Sequence, residues 1–552
     1  MTVSYFCKDS NHSDVCEYGT NLSKIAVKEQ VKLNYPLLGA LVNNKVRDMS
    51  YRVHKPCQIR FFDITSDYGI QMYCRSLYFL LFKVISDLLP NVKLRILHSI
   101  SAGKFCALDG LDQPITDELV ERLNADMRDL VKRDLPFKRV ELPTAEALAE
   151  YDRHGMMEKA RLFKYRKRIY TSIYTLDDKI NYYFGFLVPS TGYLTVFNLE
   201  KYETGLLLKI PSRNHPTTLS QTHVLPKLFT VYQEYKDMAV RMGIPYVMDL
   251  NEKIVNGEIA DLIRISEVFQ ENRFAAIARN IKERNTVKLV MIAGPSSSGK
   301  TTTCKRISIQ LAIQGYHPVQ VSVDDFFVER DQTPKAPNGE YDYEAVEAID
   351  LKLFNDTMLK LMNGEKVELP TFNFKEGKKE WNGKYVQMKE NSILIIEGIH
   401  CLNPKLTSKI PQENKYGVFV SALTSISIDP QNPIPTTDNR LIRRIVRDHK
   451  YRGYSALDTL HRWPSVHSGE LRNIFPFQEN ADAMVNSALI FEMGILKPYA
   501  LPILRDVPET EPEYAEACRL LKFLSYFKTI PAENIPGTSI LREFVGGSQF
   551  HY

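Results

Sequence analysis

The spacing of apolar residues changes near the middle of the chain. From residue 287 onward, short apolar runs alternate with segments in which apolar residues recur at helical spacing. The runs predict buried strands at 287–293, 317–323, 392–396 and 418–423, with a helix between them at about 344–363. This alternation is typical of βαβ units, so the sequence predicts an α/β fold whose parallel sheet is wound by helices on both faces. Ligands bind at the carboxyl ends of the strands in such sheets.

The first 284 residues lack this alternation and predict two α+β modules. Residues 1 to about 65 contain short strand patterns around one helix. In the second module, Tyr73–Leu89 has helical spacing and ends before a proline, and a long helix is predicted over 258–284. We therefore predict three domains, at 1–65, 66–284 and 285–552.

Composition narrows the class of protein without indicating a function. A length of 552 residues fits about three or four domains, and 44% hydrophobic with 25% charged residues is ordinary for a globular protein. The net charge of +5 is small for this length and does not by itself indicate a nucleic acid or membrane partner. Eight scattered cysteines without a C-x-x-C pair indicate reduced thiols, so we expect a cytoplasmic protein. The most apolar run, Leu77–Ile85, is too short to span a membrane and contains a lysine.

The most informative segment is a glycine loop between a predicted strand and a predicted helix. Gly294–Thr301 reads Gly-Pro-Ser-Ser-Ser-Gly-Lys-Thr and is called the P-loop below. The backbone N–H groups of such a loop surround phosphate oxygens, Lys300 reaches the β- and γ-phosphates, and the Thr301 hydroxyl binds Mg²⁺. The segment predicts a nucleoside triphosphate site and leaves open whether phosphate goes to water or to an acceptor. The predicted ATP-binding residues are Gly294, Pro295, Ser296, Ser297, Ser298, Gly299, Lys300, Thr301 and Thr302.

Acidic residues follow two of the other predicted strands. Asp324 and Asp325 come after the second strand, and Glu397 follows the run at 393–396. A carboxylate at the end of a buried strand, facing a P-loop, can hold Mg²⁺ or accept a proton from a hydroxyl nucleophile. A helix-capping role is the alternative for Asp324, because acids are common in such loops.

Four arginines recur at helical spacing further along the chain. Arg440, Arg443, Arg444 and Arg447 lie at i, i+3, i+4 and i+7, which places them on one face of a predicted helix, and Arg452 follows. Phosphoryl transfer requires cations that neutralise the moving group, and the arginine fork suits that task. The alternative is a solvated or salt-bridged helix face.

These motifs together resemble the uridine kinase and phosphoribulokinase family of P-loop kinases over about residues 285–495. The resemblance is carried by Gly294–Thr301, by Ser322–Phe327, by Ile395–His400, and by Thr437–Asp448 with Arg452 and Gly453. The front half resembles a TGS domain, a β-grasp-like module at about 1–65, followed by the second additional domain of threonyl-tRNA synthetase. The whole chain is similar to bacterial fusion proteins described as uridine or nucleoside kinases.

The resemblance implies roles for individual residues. It makes Asp324 the base that receives the hydroxyl proton, Thr301 and Glu397 the Mg²⁺ neighbours, and Asp342 a ribose-hydroxyl partner. Tyr341, Phe372 and Phe374 would enclose the base of the acceptor. The implied lid cations on the phosphates are Arg440, Arg444, Arg447 and Arg452, of which Arg444 and Arg447 join Lys300 as catalytic residues while Arg440 and Arg452 border the acceptor.

Two departures from the family patterns affect these expectations. Uridine-cytidine kinases place a base-reading histidine three residues after the second aromatic residue, where this chain has Gly377, which leaves room for another group. In the synthetase-like half, the first histidine pair of the editing site falls on Arg75 and Phe79. We therefore expect that half to have lost metal and editing chemistry.

The sequence predicts an ATP-dependent kinase that uses Mg²⁺ and phosphorylates a hydroxyl of a small acceptor, a nucleoside such as uridine. One alternative is a kinase for another sugar or a pantothenate-like acceptor. A second is an NTP-driven switch on RNA or the ribosome, with the TGS-like module as the RNA contact. The expected partners are ATP and a small acceptor without a membrane, and the oligomeric state stays open.

Overall fold

The computed structural model describes residues 1–166, 168–335, 339, 341–373 and 376–551. The first 62 residues form a five-stranded sheet in the order β2-β1-β7-β4-β5, with β1 and β7 parallel and the other neighbours antiparallel. One helix packs on it, beginning after Asn21, whose side chain accepts a hydrogen bond from the N–H of Lys24 (3.0 Å). The elements are β1 (Thr2–Cys7), β2 (His12–Glu17), β3 (Thr20–Asn21), α1 (Leu22–Lys28), β4 (Gly39–Val42), β5 (Lys45–Asp48), β6 (Arg52–Val53) and β7 (Cys57–Phe62).

The next part of the chain, to residue 284, contains two antiparallel sheets. Their strand orders are β10-β11-β12 and β13-β14-β9-β8. The elements are α2 (Asp67–Leu88), β8 (Lys93–Ile100), β9 (Gly103–Asp109), α3 (Asp117–Arg133), β10 (Lys138–Pro143), α4 (Thr144–Arg153), α5 (Met157–Lys164), β11 (Tyr170–Leu176), β12 (Lys179–Asn181), β13 (Asn198–Tyr202), β14 (Gly205–Lys209), α6 (Pro226–Arg241), α7 (Val247–Val255) and α8 (Ile259–Arg284). Helix α8 confirms the predicted long helix. Helix α2 begins six residues before the predicted start, because Ser66 accepts a hydrogen bond from the N–H of Gly69 (2.9 Å) and acts as its N-cap.

The remaining residues are organised around a five-stranded parallel sheet in the order β16-β21-β15-β22-β25. The predicted fold class, α/β with two α+β modules in front, is confirmed. Strands and helices of this part are β15 (Leu289–Ala293), α9 (Lys300–Ile313), β16 (His317–Ser322), α10 (Leu351–Met362), β17 (Val367–Glu368), β18 (Thr371–Asn373), β19 (Lys378–Glu380), β20 (Tyr385–Val386), β21 (Ser392–Glu397), β22 (Lys415–Ser421), β23 (Ser427–Asp429), β24 (Asn432–Pro433), α11 (Thr436–Arg452), α12 (Ala456–Asn473), β25 (Ala483–Asn486), α13 (Glu492–Arg505), α14 (Tyr514–Leu524) and α15 (Arg542–Val545). The division of the chain at residues 65 and 284 remains our proposal.

The helix predicted at about 344–363 is shorter than expected. Only Leu351–Met362 is α-helical, and Val346–Ala348 forms a separate 3₁₀ turn. Asp350 accepts a hydrogen bond from the N–H of Leu353 (3.0 Å) and caps the helix. The capping bond stops the helix from extending backward. Among the described residues, no helix is both long enough and apolar enough to cross a membrane.

The parallel-sheet part and the middle part are interlocked at one hairpin. The β23–β24 hairpin reaches the middle part, where Ile96 donates its N–H to the carbonyl of Pro430 (2.8 Å) and Gln431 donates to the carbonyl of Leu94 (2.9 Å). Within the hairpin, Asp429 forms an ion pair with Lys159 of α5 (2.7 Å), and the two side chains are 0% and 2% exposed. Breaking such a pair leaves an uncompensated buried charge.

Replacing Lys159 tests the strength of this connection. We expect Lys159→Met to lower the free energy of unfolding by about 3–5 kcal/mol, because Asp429 stays buried without its counter-charge. Urea unfolding followed by circular dichroism measures the change. The matched control is Lys405→Met, whose exposed pair with Glu347 should contribute less than about 1 kcal/mol. Equal effects of the two substitutions would contradict the role assigned to the buried pair.

Candidate functional site

The P-loop leaves β15 and enters α9 in a backbone conformation that its glycines and serines permit. Ser297 and Gly299 have positive φ angles of 59° and 83°. Gly294 is required by close packing, since a β-carbon there would stand 2.2 Å from the carbonyl oxygen of Val420. The loop therefore turns its backbone at the carboxyl end of the central strand.

Two buried arginines of α11 contact the outer side of the loop. Arg440 donates from Nε to the carbonyl of Ser296 (3.1 Å), and Arg443 donates to the carbonyl of Ser297 (3.4 Å). Each also has a buried carboxylate partner, Glu470 for Arg440 and Glu492 for Arg443. These two side chains are 1% and 0% exposed, so the alternative of a salt-bridged helix face describes their surroundings. They fix the shape of the P-loop, and a contact of Arg440 with an acceptor stays a prediction.

The other three arginines share a single carboxylate. Arg447 donates from two nitrogens to Asp448 (3.0 and 2.8 Å), Arg444 lies 3.2 Å from it, and Arg452 lies 3.5 Å from it. Arg444 also donates to the Ser296 hydroxyl of the P-loop (2.7 Å). Asp448 compensates only part of the positive charge of these three arginines, and Glu344 also interacts with Arg444.

Two carboxylates from neighbouring strand ends lie near Lys300. Glu397 accepts a hydrogen bond from the Thr301 hydroxyl (3.1 Å). Burial raises the pKa of Glu397 to about 7; Asp324 and Glu543 add to the rise, and Lys300 opposes it. Desolvation by the surrounding protein and the neighbouring Asp325 also raise the pKa of Asp324, although the residue is partly exposed to solvent, and Lys300 again opposes the shift. The parallel register brings these groups together, because Ile292 of β15 pairs with Glu397 of β21.

Three further carboxylates border the site, and sequence reasoning missed them. Glu543 of α15 accepts hydrogen bonds from both the hydroxyl (2.6 Å) and the N–H (3.4 Å) of Thr302. Glu470 accepts from the N–H of Ser296 (3.1 Å). Burial beside Glu470 raises the pKa of Glu344 to about 7. No sequence motif identifies these residues, since they approach the loop from distant parts of the chain.

The predicted acceptor residues lie in a segment that the structure describes only partly. Asp342 forms an ion pair with Arg472 (3.5 Å). The ring of Tyr341 lies 6.0 Å from that of Tyr343, and the ring of Phe372 lies 5.6 Å from that of Phe327. Phe374 lies outside the described residues.

The space expected at Gly377 is occupied by an arginine. Gly377 has a φ of 72°, and a β-carbon there would stand 2.7 Å from Nε of Arg330. Arg330 also donates its N–H to the carbonyl of Gly377 (3.0 Å). The Arg330 side chain is therefore the group that takes the room left at Gly377.

The two positions that replace the editing histidines have different surroundings. Phe79 is completely buried in the apolar core of the middle part. Arg75 lines a cleft and donates from Nε to the carbonyl of Phe186 (3.1 Å). Neither side chain is a metal ligand of the kind that a zinc site requires.

The arrangement at the P-loop suits phosphate and a hard cation. The turned loop, Lys300 and the arginines offer N–H donors and positive charge to phosphate oxygens. The Glu397 carboxylate and the Thr301 hydroxyl are oxygen ligands of the kind that Mg²⁺ prefers, and they already lie within hydrogen-bond distance of each other. The residues present therefore fit Mg²⁺, and Asp324 is available nearby to accept a proton.

Comparison with known proteins separates the two halves of the chain. Residues 289–489 match the model of the phosphoribulokinase / uridine kinase family. A uridine kinase of Schizosaccharomyces pombe is 32% identical over 181 residues, which are 32% of this chain and 35% of that protein. The N-terminal region matches threonine–tRNA ligases, such as that of Clostridium kluyveri, at 29% identity over 177 residues, which are 32% of this chain and 28% of the ligase. The resemblance predicted from the motifs is confirmed for both halves.

The matches cover only parts of the relatives. The chain spans about a third or less of the length of these curated proteins. A solved structure described as a possible uridine kinase, from Bacillus stearothermophilus, covers 39% of this chain and 98% of its own length, at 17% identity and a TM-score of 0.27.

The raised pKa of Glu397 predicts how stability depends on pH in the absence of ligands. The pKa rises from 4.5 to about 7 on folding, so the folded state holds this proton more tightly and stability falls as pH increases across that window. Relative to the Glu397→Gln variant, the free energy of unfolding of the wild-type protein should fall by up to about 1.4 kcal/mol per pH unit across that window. Urea unfolding at pH values from about 4.5 to 8 measures the difference.

The exposed Glu390 provides the matched control. Glu390→Gln should give a profile parallel to that of the wild-type protein. If the profile of Glu397→Gln is also parallel to that of the wild-type protein, folding does not raise the pKa of Glu397.

Proposed function

We propose that this protein is an ATP-dependent kinase that transfers the γ-phosphoryl group to a hydroxyl of a small acceptor. The observation that carries the proposal is the meeting of Lys300, Asp324 and Glu397 at one edge of the parallel sheet. A P-loop alone supports only nucleotide binding. A second carboxylate that is not bonded to the P-loop hydroxyl supports transfer to an acceptor. The family match over residues 289–489 supports the same reaction class.

Positive charge close to the P-loop would bind and stabilise the transferring group. In the proposed mechanism, Lys300 and the loop N–H groups bind the β- and γ-phosphates. Arg444 already contacts Ser296 of the loop, and Arg447 and Arg452 lie on the same helix or at its end. Phosphoryl transfer proceeds mainly by positioning and charge neutralisation, so these cations need to be fixed before the reaction.

Mg²⁺ would be held by Thr301 and Glu397. When bound, Mg²⁺ supplies positive charge that neutralises phosphate oxygens. Glu397 must be ionised for this role, and its pKa of about 7 places that change near neutral pH. The divalent cation itself favours the ionised carboxylate.

Asp324 is the proposed base for the acceptor hydroxyl. Its side chain is accessible from the cleft, and the protein around it raises its pKa. A carboxylate with a raised pKa accepts a proton more readily at neutral pH. Lys300 and Arg452 oppose that rise and favour the ionised form.

A nucleoside such as uridine is the acceptor we propose, with a sugar or pantothenate-like hydroxyl compound as the second candidate. Tyr341 and Phe372 provide ring surface and Asp342 a carboxylate for a ribose, and Phe374 would add a third ring. Arg330 crosses Gly377, at the position where the family resemblance places a base-reading histidine. A guanidinium donates hydrogen bonds and accepts none, so it favours an acceptor that presents carbonyl oxygens or negative charge there.

Two substitutions separate nucleotide binding from transfer. Lys300→Ala removes a cation from the phosphates and should lower turnover by about a hundredfold or more. Asp324→Asn keeps the size of the side chain but cannot accept the proton, so ATP affinity should persist while transfer falls by roughly 10²–10⁴. ADP release over a panel of nucleosides and sugars measures turnover, and calorimetry measures ATP binding.

The control for changing an acid in this region is Asp331→Asn, which lies in the exposed 3₁₀ turn Arg330–Gln332. Wild-type transfer by Asp324→Asn would place the base elsewhere. Unchanged turnover by Lys300→Ala would refute the P-loop assignment.

Glu543 should oppose nucleotide binding. Its carboxylate uses the N–H and hydroxyl of Thr302, which are donors that phosphate oxygens also require. Glu543→Gln removes one negative charge and should tighten ATP binding roughly tenfold, equivalent to about 1.4 kcal/mol. Calorimetric titration measures the affinity, with the exposed Glu533→Gln as the matched control. Weaker binding by Glu543→Gln would show that the carboxylate supports the bound state.

A further inference from the structure

A cleft lies between the middle part and α14, and the residues that line it are distant in sequence from the P-loop. We call it the cationic cleft and define it by Arg75, Arg139, Arg166, Arg168 and Lys522. Its volume is about 340 Å³, and a neighbouring hollow of about 660 Å³ shares Arg166, Arg168 and Lys522 with it. None of its described lining residues belongs to the P-loop site.

Much of the positive charge in this cleft is uncompensated among the described residues, although Lys45, Arg139 and Arg519 of its lining have carboxylate partners. Glu141 is the single acid among the lining residues that the structure describes, and Arg139 already binds it. Around Arg75, Arg166 and Lys522, no carboxylate of the described chain comes within 4.0 Å of the side-chain nitrogens. Cations at such density normally recruit carboxylate partners. Their absence in this part of the described structure indicates an anion that is not part of the chain.

The arginines are built into the wall and are not loose surface groups. Arg166 is 9% exposed, its Nε has no hydrogen-bond partner among the described residues, and its guanidinium lies 4.8 Å from the ring of Tyr526. Arg75 lies against Gly185, where a β-carbon would stand 2.6 Å from the guanidinium carbon. The chain therefore keeps space for Arg75, and its Nε bond to Phe186 orients the rest of the guanidinium.

The pKa of Lys522 shows the effect of the positive charge gathered in this cleft. Its ammonium lies 5.0 Å from the ring of Phe184. Burial lowers the pKa of Lys522 well below its usual value, and Arg166, Arg168, Arg75 and Arg139 lower it further. Repulsion among these like charges opposes the charged form of Lys522, and a bound anion would favour it.

Aromatic side chains complete the cleft and narrow the kind of anion. Tyr170, Tyr182, Phe184 and Phe186 line it together with the cations. Tyr170 is 59% exposed, whereas Arg139 lies over the ring of Phe186 and Lys522 over those of Tyr182 and Phe184. An exposed tyrosine ring stacks on planar heterocycles, and arginines bind phosphate oxygens through paired N–H groups. The volume lies within the range of small-molecule sites.

We propose that the cationic cleft is a binding site for a free nucleotide, with its phosphates on Arg75, Arg166 and Lys522 and its base against the aromatic residues. The ligand is distinct from the ATP of the P-loop. The site goes beyond the proposed kinase reaction and does not depend on it.

The experiment uses the full chain carrying Lys300→Ala, so that the P-loop contributes little to phosphate binding. ADP should still bind at one mole per chain in calorimetry and should raise the melting temperature. Adding Lys522→Met should weaken ADP binding at least tenfold, whereas adding Lys409→Met, at an exposed lysine paired with Asp356, should leave it unchanged. Inorganic pyrophosphate should bind at least tenfold more weakly than ADP, because it lacks the base.

A second measurement separates a binding role from a structural one. Without ligand, Lys522→Met should raise the melting temperature, because it removes a repelled charge. A lowered melting temperature, or equal ADP affinity with and without Lys522, would overturn the proposal. Tight binding of a single-stranded RNA with none of ADP would also overturn it, and would assign the cleft to nucleic acid.

Discussion

The parallel arrangement of five strands is the constraint on which the site depends. Parallel strands all end at the same edge, so the P-loop after β15, Asp324 after β16 and Glu397 at the end of β21 converge although they are distant in sequence. The loop between them is held from behind by Arg440 and Arg443, whose positive charges are balanced by Glu470 and Glu492. Arg440 and Arg443 therefore bind carbonyls of the loop, while the N–H groups of Ser296 and Thr302 are bonded to Glu470 and Glu543.

Local pattern was enough to predict the strands, the long helix α8 and the P-loop, because each depends on neighbouring residues. It was not enough for the start of α10, where the Asp350 side chain ends the helical run against the apolar spacing. It also missed Glu543, which reaches Thr302 across 241 positions, and Glu470, which reaches Ser296 across 174. Such contacts arise only from tertiary packing. The burial of Arg440 and Arg443 was missed for the same reason, since helical spacing identifies a shared face but not what packs against it.

The positions of the charged residues, and not the net charge of the chain, indicate which ligands this protein can bind. A net charge of +5 over 552 residues indicates no anionic partner, yet the cationic cleft gathers arginines from β10, the segment before β11 and α2 beside a lysine of α14. Arg75 occupies the position where the synthetase resemblance expects a histidine. A permanent cation cannot bind a metal as a neutral imidazole does, and it favours the anion binding that we propose for this cleft.

The β23–β24 hairpin has a consequence for how the chain unfolds. Its backbone and side chains complete hydrogen bonds of the middle part at Leu94, Ile96 and Tyr182, and Asp429 holds the charge of Lys159. Neither part can lose its structure without exposing unsatisfied polar groups in the other, so we expect the melting of the two parts to be coupled. A gene that encoded the parallel-sheet part alone would have to replace those partners before its product could be as stable as the joined chain.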